Sequence, residues 1–463
     1  MNRPTKSLAF AMTAALVLGA CGQAQSTSPS PATSPGPATS TNPATSAGPA
    51  GSATGGTVTI RWAGWAFAEE TSAKLVGQLI TQFEAENPGI KVETVPIQFY
   101  DVRQRITTLI GAGDPPDVAQ SYLIWTPSWA DIGALEPLNS YLSADQAADN
   151  INLANGQFAG KQVAVTWSPG INIMFWNKNV FKAAGLNPDV PPKTWDELLN
   201  DCKAISASGV ACVAQTTQKE PSSWNWWFPQ LWALGGDLWA KDGSCILNNQ
   251  AGVQWGALAK QWADQNYMTT GIDGFTMRQV FAQNKAGFLF DGPWMKGILR
   301  DISGKGEAFD AQYGVAERPV GPAADVPWTT TADHQLVMFS QSKHKQEAWK
   351  LIQFLLRPDV QVKYYDLLGL IPSSRSAYKD PKLAGDPYIA AFVAASSHVH
   401  PLAFGAQWPA VSDFIMEGIQ EILAGQDPKA ALTRACANIA IIAPPPPSPA
   451  PSPSPAPSPS STP

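Results

Sequence analysis

Between residues 57 and 440 the spacing of apolar positions switches repeatedly between two and three-to-four, which marks short strands alternating with amphipathic helices. Val58 to Trp62 alternates and is rich in β-branched residues, so it is predicted as a strand running into the loop Ala63-Gly64-Trp65. Leu75, Val76, Leu79, Ile80 and Phe83 then share one helical face, and Asn87-Pro88-Gly89 ends that helix. Ile90, Val92 and Thr94 alternate with Lys91 and Glu93 as a second strand. Val102, Ile106, Leu109 and Ile110 form the inner face of a second helix, closed by Gly111 to Gly113. After the turn Asp114-Pro115-Pro116, a third strand starts at Asp117-Val118-Ala119. This order predicts a parallel sheet with helices on its faces. Such sheets bind ligands beyond the carboxyl ends of their strands, which gathers Trp62, Trp65, Gln120, Ser121 and Tyr122 on one rim.

A second set of elements starts at Ile171. Ile171 to Trp176 reads as a buried strand, and Val180 to Ala184 as a short helix closed by Gly185. Thr194-Trp195-Asp196-Glu197 is a capping box, heading a helix that carries Leu198, Leu199, Cys202 and Ile205 inward. Gln279 to Ala282 is helical, Gly287 to Phe290 is a buried strand, and Gly292-Pro293-Trp294 is the turn after it. Leu336 to Phe339 is another strand, before a helix from about Lys345 that stops ahead of Pro358. The folded region, roughly 385 residues, exceeds what one core usually holds, so two domains are expected.

The two ends are of different composition. Arg3 and Lys6 precede an apolar run, Leu8 to Ala20, that is too short to span a bilayer and ends Leu18-Gly19-Ala20-Cys21. Residues 1–20 are therefore expected to be a removable signal peptide. The ending resembles a bacterial lipobox, which implies lipidation of Cys21; the alternative is an ordinary signal with Cys21 incidental. Residues 21–56 then form the lipidated cysteine and a Ser/Pro/Ala/Thr/Gly linker that lacks the apolar surface to order itself. Residues 444–463 are a Pro/Ser-rich tail of polyproline type.

Charge and cysteine content narrow the function. With 31 basic and 37 acidic residues, a net charge of −6 and no basic run, nucleic acid is excluded as a partner. Apart from Cys21 there are four cysteines. Cys202 and Cys212 lie close across a helix-to-strand turn and are the favoured disulfide, while Cys245 and Cys436 are left undecided. No C-x-x-C spacing exists and His398-Val399-His400 stands alone as loop, so neither a metal nor a cofactor is expected.

Several segments together resemble the extracellular solute-binding proteins of bacterial ABC importers, in the sugar-binding group that includes maltose-binding protein. They are Phe175-Trp176-Asn177-Lys178 with Phe181 and Ala184-Gly185-Leu186, Pro191 to Leu198, Gly113 to Val118, Ala286-Gly287 with Gly292-Pro293-Trp294, and Gly369-Leu370-Ile371-Pro372. The resemblance implies two α/β lobes joined by crossing hinge segments, with the ligand cleft between them: the two-lobed periplasmic-binding-protein fold. Crossings are expected near 168–170, 329–333 and 372–376. Lobe one would be 57–168 with 333–372, and lobe two 169–332 with 373–440.

Eighteen tryptophans suit a sugar, whose apolar C–H face an indole covers while carboxylates and amides satisfy its hydroxyls. Trp65, Trp224, Trp294 and Trp408 are the leading stackers; the resemblance singles out Trp294 and Trp408. Trp195, Trp255, Trp262 and Trp349 lie on helical patterns and are assigned to the core. Glu220 matches a carboxylate that bonds sugar hydroxyls in the family; otherwise it is an exposed turn residue. Of Glu69 and Glu70, one is expected to face the cleft. Ser121 and Tyr122 end the third strand, and Asp333 and His334 sit on a crossing, in a hinge, cleft or structural role. The expected function is a monomeric, lipid-anchored receptor on the extracytoplasmic face of the membrane. It captures a carbohydrate, an oligosaccharide, and delivers it to the transmembrane subunits of an ABC permease. A receptor for a non-sugar solute on the same fold is one rival. A secreted glycoside hydrolase using Glu220 and Asp291 is the other, although no G-x-S-x-G, H-E-x-x-H or Walker motif is present.

Overall fold

The computed structural model describes residues 56–442 except residue 403. The signal segment, Cys21, nearly all of the linker and the 444–463 tail lie outside the described residues.

The principal strands are β1 (Val58–Gly64), β2 (Ile90–Pro96), β3 (Val118–Tyr122), β4 (Ala164–Ser168), β5 (Ile173–Asn177), β6 (Ala211–Ala214), β7 (Ala286–Asp291), β8 (Tyr313–Ala316) and β9 (His334–Met338). They form a five-stranded sheet ordered β2-β1-β3-β9-β4 and a four-stranded sheet ordered β8-β5-β7-β6. In the first, β1 runs parallel to β2 and β3, whereas β9 is antiparallel to both β3 and β4. In the second, β5 is antiparallel to β7 and β8, and β6 is parallel to β7. Each sheet is the spine of one lobe, and the chain moves between them between β4 and β5, between β8 and β9, and between the helices Pro358–Leu368 and Pro387–Ser396.

Helix Glu70–Glu86 follows β1, and its Leu75, Val76, Leu79 and Phe83 are buried under the first sheet, with Phe83 5.5 Å from Phe354. Burial of side chains this size contributes roughly 1.5–3 kcal/mol each, so the apolar stripe and not intrinsic propensity fixes this helix. The capping box at Thr194 is formed: its hydroxyl accepts from the Glu197 amide while the Glu197 carboxylate accepts from the Thr194 amide. Trp195, Trp255, Trp262 and Trp349 are all buried. No helix among the described residues is long and apolar enough to cross a membrane.

Two strands differ from their apolar patterns at the crossings. The strand expected at Ile171 starts at Ile173, because Ile171 pairs with Thr331 and the Asn172 amide bonds the Thr330 carbonyl. The strand expected at Leu336 starts at His334, where two polar residues continue the ladder against Tyr122 and Ser121. Gly170 lies so close to the second crossing that a Cβ would sit 2.2 Å from the Ala332 carbonyl oxygen, which only glycine allows.

Two disulfides brace lobe two. Cys202 joins Cys212, and Cys245 joins Cys436 across 191 residues, tying the final helix Pro428–Ile442 to the body of the lobe. Loop-closure entropy makes the second the larger contributor. Replacing Cys245 and Cys436 by serine should lower the unfolding free energy by about 5 kcal/mol, against about 3 kcal/mol for the Cys202/Cys212 pair. Urea unfolding of the two double variants measures this; an equal loss would mean that the unfolded chain does not sense loop length.

Candidate functional site

The carboxyl ends of β1, β2 and β3 face lobe two across a cleft. Trp65 follows β1 in a single helical turn, Phe99 and Tyr100 follow β2, and Tyr122 is the last residue of β3. Lobe two opposes them with Asn225 and Trp226 from helix Trp224–Ala233, Phe275 and Arg278 from helix Gly274–Ala282, and Trp294 after β7. His334, at the start of β9, closes the floor. These groups line a cleft open to solvent that leaves about 60 Å³ to the centre of a water molecule, and Trp65, Glu69, Phe275, Trp294 and His334 also border an adjoining space of about 250 Å³ by the same measure. Tyr100 spans the lobes: its ring is 5.3 Å from that of Phe275, and its hydroxyl reaches Glu220 and Ser222.

The orientation of Trp294 is built from its neighbours. Its Nε1 donates to Asp291 Oδ1 at 2.8 Å, and its ring lies parallel to His334 with centroids 5.1 Å apart. A Cβ on Gly292 would meet the indole at 2.3 Å, so the Gly-Pro-Trp turn needs its glycine for the ring to fold back. Trp65 meets the other side of this arrangement, edge-on to His334 at 4.9 Å. Burial, reinforced by the Arg278 charge, pushes the His334 pKa down to about 3, so the ring is a neutral aromatic surface.

Charge in the cleft is balanced internally. Arg278 Nε donates to Asp291 Oδ2 at 2.8 Å, and Asp291, fully buried, also accepts from the Gly292 amide. Glu69 lines both spaces; burial raises its pKa to about 7, with Arg278 opposing the rise. Among the cleft-lining polar atoms, the buried Asn225 Oδ1, Trp226 Nε1, Tyr122 hydroxyl and His334 Nδ1 have no hydrogen-bond partner in the protein. The set holds both acceptors and donors, a combination that suits hydroxyls.

The sequence profile of the bacterial extracellular solute-binding proteins matches residues 68–362, more than half of the chain. The chain belongs to this family. Its relatives include a putative binding protein of Brucella abortus, 28% identical over 362 residues that cover 77% of this chain and 86% of the relative. The maltotriose-binding protein of Pyrococcus abyssi is 25% identical over 79% of this chain and 78% of its own length. The sn-glycerol-3-phosphate-binding periplasmic protein UgpB of Escherichia coli is 23% identical over 68% and 74%. Among solved structures, a solute-binding protein of an ABC transporter from Thermotoga lettingae, bound with α-D-tagatose, superimposes with a TM-score of 0.73 at 27% identity, over 83% of this chain and 98% of that one. The protein is thus a two-lobed extracellular solute receptor of the ABC-importer type, in a family of receptors rather than enzymes.

In this solute-binding protein the residues singled out by sequence fall into three groups. Trp65, Glu69, Tyr122 and Trp294 line the cleft, and Glu70 borders only the adjoining space. Glu220 stands behind the wall, 9% exposed, where its carboxylate accepts from the Gly274 amide at 3.1 Å and meets the Tyr100 hydroxyl; burial raises its pKa. The remaining four need correction as cleft-lining groups. Trp224 and Trp408 are 0% and 2% exposed, pack edge-on with centroids 5.5 Å apart, and share Phe404 as a third partner. Both begin helices whose apolar faces form the lobe-two core, and core packing claims them. Ser121 points to the opposite side of β3 from Tyr122, where its hydroxyl bonds Thr126 at 2.9 Å. Asp333 is buried between the crossings and bonds protein groups alone.

Phe99, Tyr100, Trp226, Phe275 and Arg278 were not singled out. The rim rule that selected Trp65 and Tyr122 applies equally to Phe99 and Tyr100, which directly follow the second strand. Arg278 lies on a helix whose start, expected at Gln279, is at Gly274 with Asp273 as its cap.

Glu69 gives the cleft a pH signature. Between its usual 4.5 and about 7 the native carboxyl keeps a proton that the unfolded chain has released, so stability contributed through this group falls as pH rises through that window. Glu69→Gln should therefore gain in melting temperature relative to wild type as pH goes from 5 to 8. A constant difference across that range would show that Glu69 ionises normally.

Proposed function

We propose that the protein is a lipid-anchored receptor that captures a neutral carbohydrate of more than one ring and delivers it to an ABC permease. The observation that carries the sugar reading is the cleft wall itself. Trp65, Trp226 and Trp294 supply aromatic surface, while Asn225 Oδ1 and Trp226 Nε1 offer an unpaired acceptor and an unpaired donor. Aromatic faces suit pyranose C–H groups, and a mixed donor–acceptor pair suits hydroxyls. The adjoining space, about 250 Å³ to the centre of a water molecule and bordered by the same Trp294 and Trp65, supports a ligand longer than one ring. The maltotriose-binding and tagatose-bound relatives agree with this choice.

A phosphorylated solute is the second reading, since one relative is named for sn-glycerol 3-phosphate and Arg278 stands at the cleft. The guanidinium is already committed to Asp291 and has Glu69 beside it, which disfavours a further anion. Hydrolysis is disfavoured on similar grounds. Asp291 is held by an arginine, an indole and an amide, and Glu220 does not line the cavity, so the two do not form the free carboxylate pair a glycosidase needs. Membrane attachment rests on Cys21 and the sequence around it.

Isothermal titration with mono- and oligosaccharides and with sn-glycerol 3-phosphate tests the reading. An oligosaccharide should bind, unchanged in mass after incubation. Trp294→Ala should raise its Kd roughly 30- to 1000-fold, about 2–4 kcal/mol, while Trp408→Phe leaves it within a few-fold. Binding of the phosphate ester alone, or turnover of the sugar, overturns the proposal. Cys21→Ser should release folded, ligand-competent protein from cells; retention on membranes after a high-salt wash would place the anchor elsewhere.

A further inference from the structure

Lobe two contains another, small cavity, about 20 Å³ as traced by the centre of a water molecule, that shares no lining residue with the solute cleft. It lies between helices Trp195–Ala207 and Trp224–Ala233 and the stretch of chain around Arg318 that leads to the second crossing. The walls are aromatic and apolar: Trp195 and Trp262 stack with centroids 5.6 Å apart, and Pro229, Phe290 and Trp328 complete them.

Arg318 is the single cation in this lining. It is 7% exposed, its guanidinium lies 4.3 Å from the centre of the Phe290 ring, and its Nη2 donates to Asn172 Oδ1. The carboxylate whose charge reaches it, Asp291, is engaged by Arg278. Two buried polar atoms of the lining have no partner in the protein, Arg318 Nε and Trp262 Nε1. Both are donors. This differs from the solute cleft, where an unpaired acceptor accompanies an unpaired donor. A pair of unmet N–H groups, one on a cation, calls for an acceptor carrying negative charge.

We propose that this cavity binds a small monovalent anion, a halide or a short carboxylate, held by Arg318 and the Trp262 indole N–H. One guanidinium matches one negative charge, and Gln230 is the one other polar side chain in the lining besides the indoles. Burial pulls the Arg318 pKa down to about 9, which leaves the guanidinium charged at neutral pH but poorly solvated, and an anion beside it offsets that burial. The anion also bears on the hinge. Arg318 grips Asn172 on the first crossing, and Asn172 in turn accepts at its carbonyl from the Thr329 hydroxyl and donates its amide to the Thr330 carbonyl on the second. Its expected effect is on the stability of lobe two and its junction, without competition for the solute.

The test uses the whole exported chain in a bulky sulfonate buffer, with sodium chloride or sodium formate replacing sulfonate at constant ionic strength. Melting temperature should rise saturably with one or both anions, as ligand linkage requires. The rise should be abolished in Arg318→Met and reduced at least several-fold in Trp262→Phe, which keeps the ring and removes only the donor. Chloride-35 NMR separates the sources: line broadening by the wild type identifies a halide site, and its reversal by formate identifies a site that also takes carboxylates. A melting temperature independent of anion identity, or an equal rise in wild type and Trp262→Phe, overturns the proposal whatever the solute proves to be.

Discussion

The architecture depends on one buried carboxylate. Asp333 sits where two crossing segments pass each other, and its oxygens accept from the Gly170 amide, from Asn152 and Asn155 of lobe one, and from the Thr331 hydroxyl. Burial raises its pKa, and those donors oppose the rise. A buried carboxylate is tolerated only when so surrounded, and for that reason it fixes the relative path of everything that donates to it. With Gly170 pressed against Ala332, this junction leaves the crossings little freedom of register. Any rotation of one lobe against the other would then fall to dihedral changes at the ends of these segments, outside the Asp333 cluster.

Downstream of that junction, the cleft is arranged by a second carboxylate. Asp291 ends β7 and organises Arg278, the Gly292 turn and the Trp294 indole together. Neutralising Arg278 within the wall leaves a surface that is polar in detail and nearly uncharged in sum. Such a surface rewards hydroxyl-rich neutral ligands, because no strongly hydrated ion has to be stripped on binding.

Much of the fold was legible in the sequence. The helix under β1, the capping box at Thr194 and the rim positions of Trp65 and Tyr122 follow from local pattern and from a rule about parallel sheets. What pattern could not supply was burial in three dimensions. Trp224 and Trp408 stand in stretches as aromatic as the true cleft wall, and only packing distinguishes them: helix Trp224–Ala233 is buried along its entire length. In the same way, His334 and Gln335 look like loop because they are polar, yet they continue a central strand since their side chains find partners in Trp294 and Thr126. Asp333 is a candidate for a hinge, cleft or structural role from its place on a crossing, and the choice among these rests on neighbours in space that come from residues about 180 positions earlier.

Helix Trp224–Ala233 explains why so many tryptophans serve so small a cleft. Trp226 and Asn225 line the cleft, while Trp224, Trp227 and Trp232 from the same three turns build the core behind it. Because these residues share one rigid, fully buried element, the lobe-two wall of the cleft is held by the core of that lobe. The opposing wall is made differently: Phe99 and Tyr100 come from a short turn after β2 and are only partly buried. The cleft thus sets a fully buried helix on one side against half-buried aromatics on the other, which stand beside the buried Trp65 and Tyr122. Tyr100, which already reaches Glu220 across the gap, is the group through which the first lobe registers the second. A wall whose side chains are already fixed by core packing costs a ligand little ordering on that side, which leaves more of the binding energy for holding the two lobes together.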